Sequence, residues 1–481
     1  MKAAENNMGN KNNSLSREKN FVKNIIVLAF GTFLPKFASF VTLPIYTAYL
    51  TKSEYGTFDL ISIFCSLLLP VATLQIQSAA FRFLLEVKND ERKKKSIITT
   101  LYCFVIPVSL AVLIAVFLVL KLPLLLRWLI VLYYLGDILV LVTRQVARGL
   151  SMNQKYSASA VINSFLNMGL VVVFMVVFHF RLYGLMISFN ISVFTSLIYL
   201  VFSIRIWKYI DISTINRSLF KEMIQYAWPM VPNSMSLWVM RVSDRFLISI
   251  FLGIEANAVY AVANKIPTLL QLAQNTFSMA WSESASLTVN DQDADEYYSR
   301  MFRNIYRVLA GFAAMLIAVL PALFFILIRG DYEDAYVHIP ILLIGMFYSS
   351  VAIYLGGLYV AKKQTKSIGV TTIVAAAINF IINVLFIRKI GIYAASLSTT
   401  ISYLILMVYR MIDVKRIQKI CFSYSEIIFT NLVMIVMCLI CFRRNIVSYL
   451  VNFVLGTVFC LILNRDLIKS SINMFRKKFS H

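Results

Sequence analysis

Fourteen times between residues 22 and 464 the chain returns to a mainly apolar run of about 20 residues, long enough as a helix to cross a hydrocarbon core of roughly 30 Å. The runs lie at 22–47, 56–84, 97–120, 124–146, 157–179, 182–204, 222–250, 257–284, 304–328, 336–360, 367–387, 391–411, 425–442 and 446–464. Lipid offers no partner for a backbone N–H or C=O, so each run must satisfy its own and fold as a helix. A composition of 59% hydrophobic and only 14% charged residues excludes an ordinary soluble domain. The expected class is an all-α, polytopic membrane protein.

Basic residues sort onto one side of these runs. With the N-terminus inside, and with Lys23, Arg127, Arg144, Arg307 and Arg410 at span ends counted with the adjoining segments, cytoplasmic segments hold 32 of the 46 Lys and Arg, the outside loops hold nine, and five others fall within spans. The positive-inside rule then gives N-in and C-in, with KNDERKKK at 88–95 as a cytoplasmic loop. The same distribution accounts for the net charge of +23 without nucleic acid as a partner. A polar first twenty residues precede a span too long for a signal-peptide core, so the first span is expected to insert and stay. Cys65, Cys103, Cys421, Cys438, Cys441 and Cys460 sit mostly in apolar spans at spacings that suggest no disulfide framework. No segment between spans is long enough for a separate catalytic domain, so the work is expected inside the bundle.

An internal repeat organises the spans. VINSFLN at 161–167 recurs as AINFIIN at 377–383, which puts Asn163 and Asn167 in register with Asn379 and Asn383, each pair on one helix face. Leu50 through Gly56 to Phe58 matches Leu252 through Ala258 to Tyr260 at a constant offset of 202. These collinear matches divide the chain into a cytoplasmic tail (1–20), a six-helix lobe (21–206), a cytoplasmic linker (207–220), a second six-helix lobe (221–412), two further helices (413–466) and a basic tail (467–481). Spans six apart run the same way, so the repeat is parallel about a pseudo-two-fold axis along the membrane normal, and rocking of the lobes about a cavity gives alternating access.

LPIYTAYLTKSEYGTFDL at 43–60, SAAFRFLLE at 78–86 and VSDRFLISIFLGIEANAVYAVANKI at 242–266, with the fourteen-span plan, resemble the Wzx-like polysaccharide-transporter flippases of the multidrug/oligosaccharidyl-lipid/polysaccharide exporter superfamily. The resemblance covers nearly the whole chain. It implies a transporter, not an enzyme, that moves an undecaprenyl-diphosphate-linked sugar repeat unit to the outer leaflet of a bacterial inner membrane. The polymerase and glycosyltransferases of a capsule, O-antigen or related pathway would be its partners.

The five basic residues within spans are Lys36, Arg82, Arg241, Arg245 and Lys265. A cation near a helix centre costs about 2.5 to 3.5 kcal/mol, so these residues should face protein or water. Thr32, Lys36, Ser39 and Thr42 form one polar stripe on span 1; Asp59, Ser62, Ser66, Thr73 and Gln77 form another on span 2. Span 7 carries Ser234, Arg241 and Arg245 with Asp244 beside them, and span 8 carries Lys265, Thr268 and Asn275. If these faces converge they line a cationic chamber, with Arg82 near its cytoplasmic mouth and Gln77, Asn275 and Asp244 in support. Arg offers forked donors for phosphate oxygens and Lys a point charge, so such a chamber suits a diphosphate. The plainer alternative pairs Asp244 with Arg241 or Arg245, and Arg82 with Glu86. Pro70 and Pro267, inside spans 2 and 8, are the expected hinges.

No ATP-binding loop and no metal or organic cofactor motif is present, so any uphill work is expected to draw on a gradient of Na⁺ or H⁺ or on consumption of the product outside. Asp137, a lone carboxylate near the middle of span 4, is the candidate coupling group, unless it merely bonds Arg144. Three readings compete. A multidrug cation antiporter wants carboxylates where this chamber has cations, a glycosyltransferase or polymerase wants an outside loop with an acid or base, and a lipid II flippase shares the chamber chemistry.

Overall fold

In a computed structural model, residues 34–87, 90–288, 291–362 and 364–469 are described, and all regular structure among them is helical. Eleven helices are long and apolar enough to cross a membrane, which makes this a multi-pass membrane protein. The eleven correspond to every expected span except the first, seventh and eighth. Span 1 is described only from residue 34, as helix α1 (34–49); span 7 carries three charges within one 22-residue helix, and span 8 is rich in Gln, Thr and Ser. The chain forms two compact units, one made of residues up to Leu50 with Ile61–Met235, the other of Thr51–Leu60 with the chain from Ser236.

Unit 1 contains α1, the C-terminal part of α2 (Lys52–Thr73), α3 (Ile76–Glu86), α4 (Glu91–Val119), α5 (Leu124–Gly149), α6 (Asn153–Val171) and α7 (Arg181–Ile204). Its core joins Ile76, Ala79, Ala80 and Leu84 of α3 to Ile97, Ile98 and Leu101 of α4 and Ile138, Val142 and Val146 of α5. Gly136 lets α5 meet α7 closely: a Cβ there would lie 2.6 Å from a Val193 methyl. The linker is structured. After two 3₁₀ turns, Asn216 caps α8 (Arg217–Ala227) by accepting from the Ser218 and Leu219 amides, and α8 buries Met223 and Ala227 while the Phe220 ring meets Phe104 at a tilt.

Span 2 is broken. Leu74 and Gln75 both adopt left-handed backbone (φ 45° and 59°), which stops α2 and starts α3. Pro70 lies within unbroken α2, four residues before this break, so the interruption is not at the proline. Pro267 does mark an interruption, as the first residue of α11 immediately after the turn at Asn264–Ile266. Span 7 likewise divides into α8 and α9 (Met230–Phe251) at Trp228–Pro229.

Unit 2 holds α9, α10 (Ile254–Ala263), α11 (Pro267–Leu287), α12 (Ala294–Ala318), α13 (Leu320–Leu327), α14 (Ala335–Ala361), α15 (Thr365–Ile390), α16 (Ile392–Ile417), α17 (Tyr424–Cys441) and α18 (Ile446–Leu463). Helix α14 is its axle, buried along most of its length and packed by α10, α11, α12 and α16. Arg410 of α16 is buried and has no carboxylate partner among the described residues. It instead donates to the Ala352 carbonyl (2.7 Å) and to the hydroxyls of Thr371 (3.1 Å) and Thr372 (3.0 Å), tying α14, α15 and α16 together. Arg307 grips Glu426 with two bonds of 2.8 Å, anchoring α17 to α12. The repeat offset is visible in the helices too, because α2 begins at Lys52 and α10 at Ile254, 202 residues on.

Candidate functional site

Successive residues on a helix point about 100° apart, so Asp244 and Arg245 of α9 cannot share a partner easily. They do not. Asp244 is buried and accepts from the Tyr260 hydroxyl of α10 (3.0 Å), the Asn383 amide of α15 (2.9 Å) and the Thr399 hydroxyl of α16 (2.5 Å). With its amide nitrogen turned to the carboxylate, Asn379 adds a fourth donor at 2.9 Å. Four uncharged donors from three helices therefore converge on one carboxylate, close to its full accepting capacity. The Asn383 Oδ1 beside it is buried and accepts no hydrogen bond.

Arg245 turns the other way. Its Nη1 donates to Oδ1 of Asp59 at 2.8 Å, and the Asn257 amide donates to the second oxygen at 3.1 Å. Asp59 belongs to Thr51–Leu60, a segment around the N-terminal end of α2 that is part of unit 2. Gly56 makes this approach feasible, since a Cβ there would fall 2.2 Å from the Ile254 carbonyl oxygen at the start of α10. Lys265, in the turn between α10 and α11, lies within electrostatic reach of both Arg245 and Asp59. The Arg245 contact with Asp59 engages only one prong of the guanidinium.

The structure places Arg245 and Lys265 within electrostatic reach of one another in unit 2 and separates Asp244 from Arg245, which sets aside the plainer alternative of an Asp244–Arg245 pair. The side chains of Arg241 and Asn275 lie outside the described residues. Lys36 is in unit 1, exposed, and its polar stripe divides: Ser39 is exposed with it, whereas Thr42 is buried and bonds back to the Ala38 carbonyl. Thr32 lies outside the described residues. Arg82 pairs with Glu86 at 3.0 Å, both largely exposed. Gln77 is buried beyond the break at Leu74–Gln75 and donates to the Gln75 side chain (3.1 Å), so the expected continuous face on span 2 ends at Thr73.

Asp137 sits on α5 near Cys65, Tyr133 and Tyr134, and among the described residues no hydrogen bond reaches it. Arg144 does not bond it either, donating instead to the Ser159 and Ser196 hydroxyls. Sequence reasoning missed Asp59, Tyr260 and Thr399 as site residues. The signal for Asn379 and Asn383 was present in their four-residue spacing on an apolar helix, and for Asp59 in its being one of few acids within a span.

The family model described as polysaccharide biosynthesis protein matches residues 21–282. No curated protein matches the chain by sequence. Among solved structures, the lipid II flippase MurJ in an inward closed conformation superposes with a TM-score of 0.67 at 16% identity, covering 92% of this chain and 100% of its own. An inward-facing multidrug resistance MATE family transporter of the MOP superfamily gives 0.64 at 12% identity, with 81% and 96% covered. A MOP superfamily transporter from Pyrococcus furiosus, described by a reversed polarity of its binding pocket, gives 0.56 at 12%, with 81% and 93% covered. These likenesses show the fold.

Proposed function

We propose, from the premise that this chain belongs to the polysaccharide biosynthesis protein family, that it is a flippase for an undecaprenyl-diphosphate-linked oligosaccharide. It works by alternating access in a bacterial cytoplasmic membrane with both termini inside, and performs transport, not catalysis. The observation that carries this reading is the cluster of Arg245 and Lys265 about a single buried carboxylate, a net positive site at membrane depth. Such a site binds an anion, and the unused prong of Arg245 matches a phosphate oxygen. Lys36 and Arg241 complete the chamber, and Arg82 at its mouth attracts the substrate while exchanging with Glu86.

Coupling to Na⁺ or H⁺ has two candidate carboxylates, Asp137 and Asp244. The oxygen shell of carboxylate, hydroxyls and the undonated Asn383 amide oxygen around Asp244 is of the hard type such a cation takes, and it favours Asp244. A second reading, movement of lipid II, rests on the likeness to MurJ and uses the same chamber.

Export in cells tests the proposal. Arg245→Gln and Lys265→Gln are expected to abolish surface polysaccharide while protein levels hold, with lipid-linked repeat units accumulating inside. Arg245→Lys keeps the charge and loses the fork, so it should retain partial export. Unchanged export in single neutral variants of Lys36, Arg241, Arg245 and Lys265 would overturn the chamber. Rescue of a lipid II transport defect without any effect on polysaccharide would move the assignment to the second reading.

A further inference from the structure

Four contacts fasten the first turns of α2 to unit 2. Lys52 pairs with Asp331 (2.9 Å), the Tyr55 ring meets Tyr332 edge-on, Gly56 rests against the Ile254 carbonyl, and Asp59 takes Arg245 and Asn257. The first three are outlying or apolar. The fourth is different in kind, because its cation is the residue assigned above to the substrate phosphate. Asp59 is nearly buried, and Arg245 meets it through one nitrogen.

We propose that Asp59 is a built-in stand-in for the substrate's phosphate: it occupies Arg245 while the site is empty, and a diphosphate arriving at Arg245 and Lys265 displaces it. This deepens the proposed function and rests on that reading of Arg245. Displacement frees Asp59 from its charged partner and leaves it only the Asn257 amide, so the hold of Thr51–Leu60 on unit 2 weakens. With the N-terminus inside, that segment is the outer end of α2, and loading the site therefore loosens it from α9 and α10. A buried carboxylate cannot lose its cation without cost, which keeps the empty site latched. The diphosphate brings two negative charges to the same cations and meets that cost. Asp59 is a positioning residue in this scheme and does not itself touch the substrate.

Two readouts on the full-length protein in nanodiscs test it. The first is binding of farnesyl diphosphate, used as the probe. The second is the crosslinking rate of a Lys52→Cys/Asp331→Cys pair by a short bis-thiol reagent in a cysteine-free background. That surface ion pair is worth little, so its replacement leaves the Asp59 contact to be measured. In the parent, saturating probe should slow crosslinking severalfold. Asp59→Asn, which keeps the volume and the bond from Asn257, should bind the probe about tenfold tighter, as expected for loss of one charge-assisted competitor. It should also crosslink slowly with or without probe. Asn257→Ala, which removes one neutral bond, should fall between parent and Asp59→Asn in both readouts.

Tighter binding alone would follow from the lost negative charge, so the crosslinking rate decides. If Asp59→Asn crosslinks as fast as the parent, or if the probe does not slow the parent, the displacement is wrong although Arg245 can still be the phosphate site. If Arg245→Gln binds the probe as well as the parent does, the substrate-site reading itself fails.

Discussion

Each unit carries a carboxylate deep in a membrane helix, and the two are treated in opposite ways. Asp244 in unit 2 is surrounded by donors from Tyr260, Asn383, Thr399 and Asn379, whereas no hydrogen bond among the described residues reaches Asp137 in unit 1. In the sequence Asp137 stands out because it is alone, and Asp244 is obscured by two arginines. Isolation along the chain is therefore a poor guide to function in a helical bundle. What matters is the shell, and the shell of Asp244 is assembled from residues 16 to 155 positions away. A carboxylate that four donors hold in place is organised for a charge, either its own or that of a bound cation. A carboxylate beside two tyrosines and a cysteine without a bond has no such preparation.

The largest effect should follow Asp244→Asn. The substitution is nearly isosteric, and Asn383 can rotate its amide to present the oxygen that now lacks a donor, so the fold is expected to survive. The charge is lost, and with it the dependence of transport on an imposed Na⁺ or pH gradient, an effect of about 5- to 150-fold for a coupling of about 1 to 3 kcal/mol. Proteoliposome flux with and without each gradient measures it. A variant that keeps the parent's response removes Asp244 from coupling.

A smaller effect is expected of Thr399→Val, which deletes the shortest of the four bonds while keeping the shape. One hydrogen bond to a charged group is worth about 1.5 to 3 kcal/mol, and this one stabilises the empty, ionised carboxylate, so its loss should lower the proton concentration for half-maximal flux about tenfold or more while the maximal flux is retained. An unchanged half-maximal concentration with reduced maximal flux would place Thr399 in the fold and not at the ion.

How legible was this in the sequence? The helical class and the number of spans follow from apolar runs, because lipid leaves a backbone few alternatives. The repeat pointed to Asn379 and Asn383 through their spacing alone. The break of span 2 at Leu74–Gln75 left no mark, since neither residue is Gly or Pro although both adopt left-handed backbone. The proline nearby drew attention four residues too early. The partners of the buried charges were equally hidden: Asp59 and Arg245 are 186 positions apart, and a one-dimensional pattern places them on faces but does not pair the faces. Arg82 and Glu86 were readable because helical geometry itself sets an i,i+4 contact.

The smallest effect, and the one that sharpens the comparison most, is expected from replacing each carboxylate by leucine and measuring thermal stability. Removing one partner from a buried polar network costs the desolvation of every donor left behind, about 1 to 3 kcal/mol for each unsatisfied group. Asp244→Leu orphans donors on α10, α15 and α16 at once, so it should lower the unfolding temperature markedly. Asp137→Leu orphans nothing, because Arg144 keeps its two hydroxyl partners and Tyr134 reaches the Ile61 carbonyl instead. It also removes a carboxylate from an apolar setting, and exchange of a poorly compensated buried charge for a well-packed apolar group is often neutral or stabilising. The unfolding temperature of Asp137→Leu should therefore be unchanged or slightly higher, and gradient-driven flux should stay within about twofold of the parent, well inside the range of a true coupling site. Should Asp137→Leu instead destabilise the protein and remove the response to the gradient, unit 1 would hold the coupling group, and the shell around Asp244 would be scaffolding that fixes α9 against α15 and α16.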